Sequence, residues 1–90
     1  MEENLLKKEK TAKEMFEKLG YKQLGSFKPD DNYIIIAYEK KLYGDKEYIY
    51  FYGANEIRIC LEDKKGRIYP PIVELEELQA INKQIEELGW

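Results

Sequence analysis

The side chains that most often carry enzyme chemistry are scarce in this sequence of 90 residues. It contains no histidine, one cysteine (Cys60), one serine (Ser26) and one threonine (Thr11). Ser–His and Cys–His nucleophile pairs and histidine metal ligands are therefore absent. Cys60 lies in a predicted strand without a second cysteine for zinc, so we interpret it as a structural thiol. No glycine-rich phosphate-binding motif occurs, and no small-molecule substrate is indicated. We predict that the protein is not an enzyme and has neither catalytic residues nor a cofactor site.

Carboxylates remain as candidates, because paired Asp or Glu side chains can transfer protons or bind a metal. The compact cluster Asp30-Asp31-Asn32 follows Pro29, and turn formation is enough to explain that composition. The glycine and the distal glutamate of a calcium-binding loop are missing. The other acidic group has the spacing of a solvated helix surface: Glu74, Glu76, Glu77, Glu86 and Glu87. We predict no metal site.

Lysines and tyrosines alternate between Lys40 and Tyr52, a pattern that could stack on and neutralise single-stranded nucleic acid. Glu39, Asp45 and Glu47 dilute the positive charge of this segment. The whole chain has 15 basic and 18 acidic residues, with a net charge of −3. This balance does not resemble the basic footprint of a nucleic-acid-binding protein. Nucleic-acid association is therefore the alternative hypothesis and not the leading one.

Length and composition indicate a single domain, residues 1–90, in the cytoplasm of its cell. A single cysteine cannot form an intrachain disulfide, which fits a reducing compartment. The polar, acidic start Met1-Glu2-Glu3-Asn4 does not resemble an export signal. The longest apolar run, from Tyr33 to Tyr38, is far shorter than the roughly 20 residues needed to cross a bilayer. We expect no membrane association.

Two segments have the apolar period of helices, from about Asn4 to Leu19 and from Leu75 to Leu88. The second segment is expected to bury one stripe: Leu75, Leu78, Ile81, Ile85 and Leu88. Glu74 stands at its start, where Ser, Thr or Asp would cap the helix better.

Both helices are followed by Gly and an aromatic residue. This ending predicts positive φ at Gly20 and Gly89, with Tyr21 packed on Phe16 and Trp90 packed on Ile85.

Between the helices the apolar period changes to two, which is typical of strands. The predicted strands are Tyr33–Lys40, Glu47–Tyr52 and Glu56–Leu61, with a weaker one at Tyr21–Phe27 and a short edge at Arg67–Tyr69. Short breaks of turn residues favour antiparallel pairing of sequence neighbours. We predict an α+β fold, helix, antiparallel meander of three to five strands, helix, with both helices on one face of the sheet.

Alternation divides each strand between the two faces of the sheet. We expect Ile49, Phe51, Ile57, Ile59 and Leu61 to face the helices. In the first strand we place Ile34, Ile36 and Tyr38 inside, with Tyr33, Ile35 and Ala37 as the alternative inner set. The opposite side, called the tyrosine face below, then carries Tyr33, Ile35, Ala37, Tyr48, Tyr50, Tyr52, Arg58 and Cys60.

An aromatic, weakly charged surface of this kind is either a stable sheet surface or a contact surface. We favour a contact surface, with five interaction residues: Tyr33, Tyr48, Tyr50, Tyr52 and Arg58.

Three segments of the sequence have a distinctive pattern: Ala12-Lys-Glu-Met-Phe-Glu-Lys-Leu-Gly-Tyr21, the Ile-x-Tyr-Glu-Lys-Lys run of residues 36–41, and Glu76-Glu-Leu-Gln-Ala-Ile-Asn-Lys-Gln-Ile-Glu-Glu-Leu-Gly-Trp90. In these segments the sequence resembles a group of small phage- and prophage-encoded proteins of Gram-positive bacteria, whose function is unassigned. The group has Thr or Ser at the cap of the last helix, and Glu74 departs from that pattern. The resemblance implies a bacterial cytoplasm during infection or lysogeny, and it carries over no catalytic or binding residue.

We therefore expect a non-catalytic accessory module that modulates a host or phage protein. Its partner is a protein, with a second copy of this chain as one candidate. The alternative is a nucleic-acid-associated phage protein.

Overall fold

The computed structural model describes residues 10–25, 34–53 and 55–90. Within these ranges the elements are α1 (Ala12–Lys18), β1 (Lys22–Gln23), β2 (Ile34–Leu42), β3 (Asp45–Tyr52), β4 (Glu56–Glu62), β5 (Ile68–Tyr69) and α2 (Leu75–Leu88). The strands form one sheet in the order β1-β2-β3-β4-β5, and each neighbouring pair is antiparallel. The predicted α+β fold, with a helix before and a helix after an antiparallel meander, is confirmed.

The first helix begins later than the apolar period predicts, because Thr11 is its N-cap and has an extended backbone. The Thr11 hydroxyl accepts a hydrogen bond from the Glu14 N–H at 3.1 Å, and the Glu14 carboxylate accepts one from the Thr11 N–H at 2.9 Å. This reciprocal pair is a capping box, whose signature is Thr-x-x-Glu. The predicted continuous helix through Thr11 is therefore wrong, and its part in residues 1–9 lies outside the described residues.

Both helices end as predicted, with φ of +98° at Gly20 and +79° at Gly89. The N–H of Tyr21 donates to the Phe16 carbonyl at 2.9 Å, and the N–H of Trp90 donates to the Ile85 carbonyl at 3.1 Å. These are the long hydrogen bonds of Schellman endings. The ring of Tyr21 meets that of Phe16 edge-on, with centroids 5.5 Å apart, which confirms the predicted contact.

The hydrophobic core lies between the helices and one face of the sheet. Its fully buried large side chains are Phe16, Tyr38, Ile49 and Phe51. The predicted inner positions of β3 are therefore confirmed, and Ile57 and Ile59 pack against the same core. Trp90 also packs there, with its ring 6.3 Å from that of Phe51.

In β2 the inward assignment holds for Ile36 and Tyr38, both of which belong to the core. It does not hold for Ile34, because the register shifts between Ile34 and Ile36 and places Ile34 opposite Tyr52. An extra residue of this kind interrupts strict alternation. Ala37 is fully buried although it lies on the outer side, opposite Tyr50. Its single methyl group is too short to reach past the larger side chains around it.

The second helix buries only part of the predicted stripe: Ile81 is buried, and Ile85 and Leu88 pack against the core as predicted, but the buried side is turned away from the start of that stripe. Its buried residues are Glu77, Ala80, Ile81 and Gln84. Leu75 and Leu78, which were expected inside, are 65% and 46% exposed. At 3.6 residues per turn, the centre of the buried set lies roughly a quarter turn from the centre of the whole predicted stripe. The prediction that Leu75 and Leu78 face the core is therefore wrong, and polar contacts described below explain the rotation.

Candidate functional site

The register of the sheet places the tyrosine face on the side away from the helices. Tyr48 lies opposite Cys60, and Tyr50 lies between Ala37 on β2 and Arg58 on β4. Cross-strand neighbours point to the same side of a sheet, so these side chains share one surface. Of the predicted interaction residues, Tyr48, Tyr50, Tyr52 and Arg58 are brought together, and Tyr33 lies outside the described residues.

The three tyrosines of β3 form a continuous row of rings. The rings of Tyr48 and Tyr50 are stacked, with centroids 5.7 Å apart and planes 11° from parallel. Tyr50 and Tyr52 follow at 6.1 Å with a 58° tilt. The guanidinium carbon of Arg58 lies 4.9 Å from the centre of the Tyr52 ring, a cation–π distance. All three tyrosines are half-buried, so each leaves part of its side chain exposed to solvent.

Two phenols and the thiol of this face have raised pKa values. Burial, followed by a hydrogen bond to Glu39, raises the pKa of Tyr48 to about 12. Burial also raises the pKa of Tyr50 and that of the Cys60 thiol, where the charge of Glu62 adds to the effect. A raised pKa lowers the thiolate fraction and hence the reactivity of Cys60. The Cys60 thiol is therefore poorly suited to nucleophilic chemistry.

A second cluster, which was not predicted from the sequence, lies on the inner side of the sheet. Glu47 on β3 and Glu77 on α2 are only 5% and 6% exposed. The Tyr21 hydroxyl donates to Glu77 Oε2 at 2.7 Å, and the Glu74 N–H donates to Glu77 Oε1 at 2.9 Å. Lys40 Nζ lies 4.0 Å from Glu77 Oε2. Glu77 is thus well supplied with donors, whereas Glu47 Oε2 is buried with no hydrogen-bond partner.

The two carboxyl groups of this cluster are electrostatically coupled. Burial is the largest cause that raises the pKa of Glu47, and the charge of Glu77 adds to it. The Tyr21 hydroxyl and the Lys40 ammonium act in the opposite direction and do not offset the rise. The pKa of the Tyr21 phenol is also raised, first by burial and then by its hydrogen bond to Glu77. The raised pKa means that Glu47 keeps its proton to a higher pH than an exposed glutamate does.

The expected solvated helix surface is only partly solvated. Glu77 is buried, whereas Glu87 is exposed as expected, and its Oε2 also accepts a hydrogen bond from the Ala12 N–H at 2.8 Å. A carboxylate at the first turn of α1 complements the helix dipole.

The sequence did contain a signal for the buried position of Glu47, since Glu47 stands two and four residues before the core positions Ile49 and Phe51.

A third feature is an exposed apolar segment that runs from β5 into α2. Its most exposed member is Ile72, at 81%. The other members are Ile68, Tyr69, Val73, Leu75 and Leu78. Surfaces rich in exposed apolar side chains often bind other proteins, so this segment is the natural rival of the tyrosine face.

The part of the chain that the structure describes contains no group of three or more His, Cys, Asp or Glu side chains placed to hold a metal ion. Within those same residues, neither helix is long and apolar enough to cross a membrane.

Comparison of the sequence and structure with models of protein families, with curated proteins and with solved structures found no match.

Proposed function

We propose that this chain is a non-catalytic protein-interaction module that binds its partner through the tyrosine face. The observation that supports this is the one-sided placement of the helices. The core cluster lies between the helices and the inner side of the sheet, and the row of Tyr48, Tyr50 and Tyr52 lies on the other side. Among the described residues, no helix packs over that row.

The composition of the tyrosine face suits a protein partner. Tyr and Arg are enriched in protein interfaces, and Tyr offers a large contact area with few rotatable bonds. The rings are already held against one another, and Arg58 is held near Tyr52. Binding would therefore cost less side-chain entropy than it would for isolated surface tyrosines.

The charges around the tyrosines favour a protein over a nucleic acid. Lys46 lies 4.0 Å from a Glu39 oxygen, and Arg58 lies 3.8 Å from a Glu56 oxygen. Both of these cations have a carboxylate beside them, which reduces the positive charge that they offer to phosphate groups. Nucleic-acid association remains the alternative, and it predicts retention on DNA or RNA that weakens steeply with salt.

The resemblance to phage and prophage proteins supports a setting for this module. In that setting the partner is a host or phage protein in the bacterial cytoplasm, and a second copy of the chain is one candidate. A specific interface of standard size would bury roughly 1,200–2,000 Å² in total.

The test replaces Tyr50 with Glu at the centre of the row and uses Tyr43→Glu as the matched control. Tyr43 is 99% exposed in the turn between β2 and β3, so the control introduces the same charge away from the tyrosine face. Self-association is measured by sedimentation equilibrium, and partner capture by pull-down from phage-infected cells with mass spectrometry. Circular dichroism confirms that both variants fold.

We expect Tyr50→Glu to weaken self-association or capture by more than tenfold, because an unpaired charge in an interface costs about 2–5 kcal/mol. Tyr43→Glu should bind as the wild type does. If both variants bind normally, the tyrosine face is only a stable sheet surface, and the exposed apolar segment becomes the candidate. A stoichiometric metal in the purified protein would contradict the non-catalytic part of the proposal.

A further inference from the structure

The buried Glu47–Glu77 pair lies where the first turn of α2 meets the sheet. Glu77 is the third residue of α2, and its carboxylate binds both the Glu74 N–H before the helix and the hydroxyl of Tyr21 before β1. Glu47 is on β3, opposite Lys40 on β2. The pair therefore joins the start of the helix to two central strands and to the segment that follows α1.

A single shared positive charge is not enough for two buried carboxylates. Lys40 Nζ is 4.0 Å from Glu77 Oε2, and its side chain also lies over the ring of Tyr21, 5.2 Å from the centroid. The Tyr21 hydroxyl supplies one proton, which it donates to Glu77. Glu47 Oε2 is left without a donor in a buried position. A buried carboxylate oxygen without a hydrogen bond makes ionisation of the group more costly, and a bound proton removes that cost.

We propose that Glu47 and Glu77 hold one proton between them and form a proton-linked latch that fixes the first turn of α2 to the sheet. With the proton bound, the site has one negative carboxylate, one lysine and one tyrosine donor. After its loss, two like charges face each other at the helix–sheet boundary. The first turn of α2, which carries the exposed Leu75 and Leu78, is then held less tightly.

The charged and titratable groups that face Glu47 come from each neighbouring element. They are Tyr21 before β1, Lys40 on β2, Glu77 on α2 and Glu74 at the cap of α2. Leu61 on β4 also lies opposite Glu47 and is uncharged. Of these groups, Glu77 and Glu74 raise the pKa of Glu47, whereas Tyr21 and Lys40 lower it.

The direction of the pH dependence follows from the raised pKa of Glu47. An unfolded glutamate releases its proton near pH 4.3, whereas Glu47 in the folded protein releases it at higher pH. Between these two values the folded state binds more protons than the unfolded state. The unfolding equilibrium constant therefore rises with pH in that window, by up to about tenfold per pH unit for one proton. The stabilisation is fully present below the unfolded value and is lost as the pH passes through the folded one.

The test compares wild type, Glu47→Gln and Glu76→Gln in urea unfolding and amide exchange between pH 4 and pH 9. Glu76 is an exposed neighbour of Glu77, so its variant removes the same charge outside the cluster. The local probe is the Leu78 N–H, which donates to the Glu74 carbonyl at 3.0 Å in the first turn of α2. The Gly89 N–H, which donates to the Glu86 carbonyl at 3.1 Å, reports on the other end of the same helix.

In wild type and in Glu76→Gln, we expect the protection of the Leu78 N–H against amide exchange to fall as the pH rises, after correction for the intrinsic exchange rate. The protection of the Gly89 N–H should change less. In Glu47→Gln the fall at Leu78 and the matching rise in the unfolding constant should disappear, because the amide stays neutral. Equal pH dependence in Glu47→Gln and wild type, or parallel changes at Leu78 and Gly89, would overturn the proposal. If Glu47→Gln does not fold, the proposal is tested instead by NMR titration of the side-chain carboxyl carbons of Glu47 and Glu77 in the wild-type protein. The pair must then titrate with one apparent pKa above the ordinary glutamate value, and ordinary values for both groups exclude the latch.

Discussion

Tyr38→Phe tests the polar contact that holds the middle of α2 to the sheet. Tyr38 is 1% exposed and Gln84 is 3% exposed, and the Tyr38 hydroxyl donates to Gln84 Oε1 at 2.6 Å. The Tyr38 ring stacks on Phe16 with centroids 4.1 Å apart, and phenylalanine keeps that ring in place. The substitution therefore removes one oxygen atom and leaves a buried amide oxygen without its donor.

The expected loss of stability follows from that geometry. Leaving a buried acceptor unsatisfied costs about 1–3 kcal/mol, whereas the net value of an ordinary hydrogen bond is smaller. In a domain of this size, each kcal/mol lowers the midpoint of thermal unfolding by about 4–8 °C. Urea unfolding followed by circular dichroism and by the fluorescence of Trp90, the one tryptophan, measures the free energy of unfolding. Tyr43→Phe is the control, and it should change that free energy by less than about 0.5 kcal/mol.

A double-mutant cycle decides whether the hydrogen bond is the cause. Gln84→Met alone should also destabilise the protein, because it leaves the buried Tyr38 hydroxyl without an acceptor. The double variant Tyr38→Phe/Gln84→Met removes both polar groups and should be more stable than the sum of the single effects predicts. Strictly additive effects would refute the reasoning. So would a Tyr38→Phe variant as stable as wild type.

Two further predictions concern the ends and the rotation of the helices. Gly20→Ala should destabilise the fold by about 1 kcal/mol in urea unfolding, because φ at Gly20 is +98°. The new Cβ would make only an ordinary contact, at 3.5 Å from the Lys40 side chain. Gly25→Ala, whose Cβ would meet nothing within 4 Å, is the control, and equal effects of the two substitutions would contradict the conformational explanation. Leu75→Gln should change the free energy of unfolding by less than about 0.5 kcal/mol, whereas Ile81→Ala should cost about 2–5 kcal/mol. The reverse order would show that Leu75 faces the core after all.

The order of elements could be predicted from the sequence because each depends on local signals. The change from a helical to a two-residue apolar period separates the helices from the strands. Gly20 and Gly89 predicted both helix ends, since an unhindered left-handed residue is what those ends require. Short turns predicted the antiparallel meander, and the observed turn is Tyr43-Gly44, with both residues at positive φ.

Other features depend on signals that were present but competed with stronger ones. The capping box of Thr11 and Glu14 is visible as Thr-x-x-Glu, but it lies inside a longer apolar period that favours a continuous helix. Glu47 occupies an inner position of β3 by simple alternation with Ile49 and Phe51. A buried glutamate is rare unless it is paired, so the residue type favoured an exposed position for Glu47, whereas alternation favoured a buried one.

The tyrosine face shows how far the site itself could be predicted. Alternation was enough to place Tyr48, Tyr50, Tyr52 and Arg58 on one side, because register in β3 and β4 is regular. It could not show that the rings stack or that Arg58 lies over Tyr52, since both depend on side-chain rotamers. The irregular register near Ile34 likewise has no signature in a run of three isoleucines.

The rotation of α2 has a single physical explanation in two polar contacts. Glu77 binds the Tyr21 hydroxyl and Gln84 binds the Tyr38 hydroxyl, so buried tyrosines hold the helix at two points. These helix positions are seven residues apart, close to two full turns, and they therefore lie on the same side of α2. A different rotation of α2 could bury Leu75 and Leu78, but it would also leave the hydroxyls of Tyr21 and Tyr38 without acceptors inside the core. Each unsatisfied hydroxyl costs about 1–3 kcal/mol, which is comparable to the gain from burying one leucine. The polar contacts thus select one rotation of the helix, and the two leucines stay on the surface as a consequence of that choice.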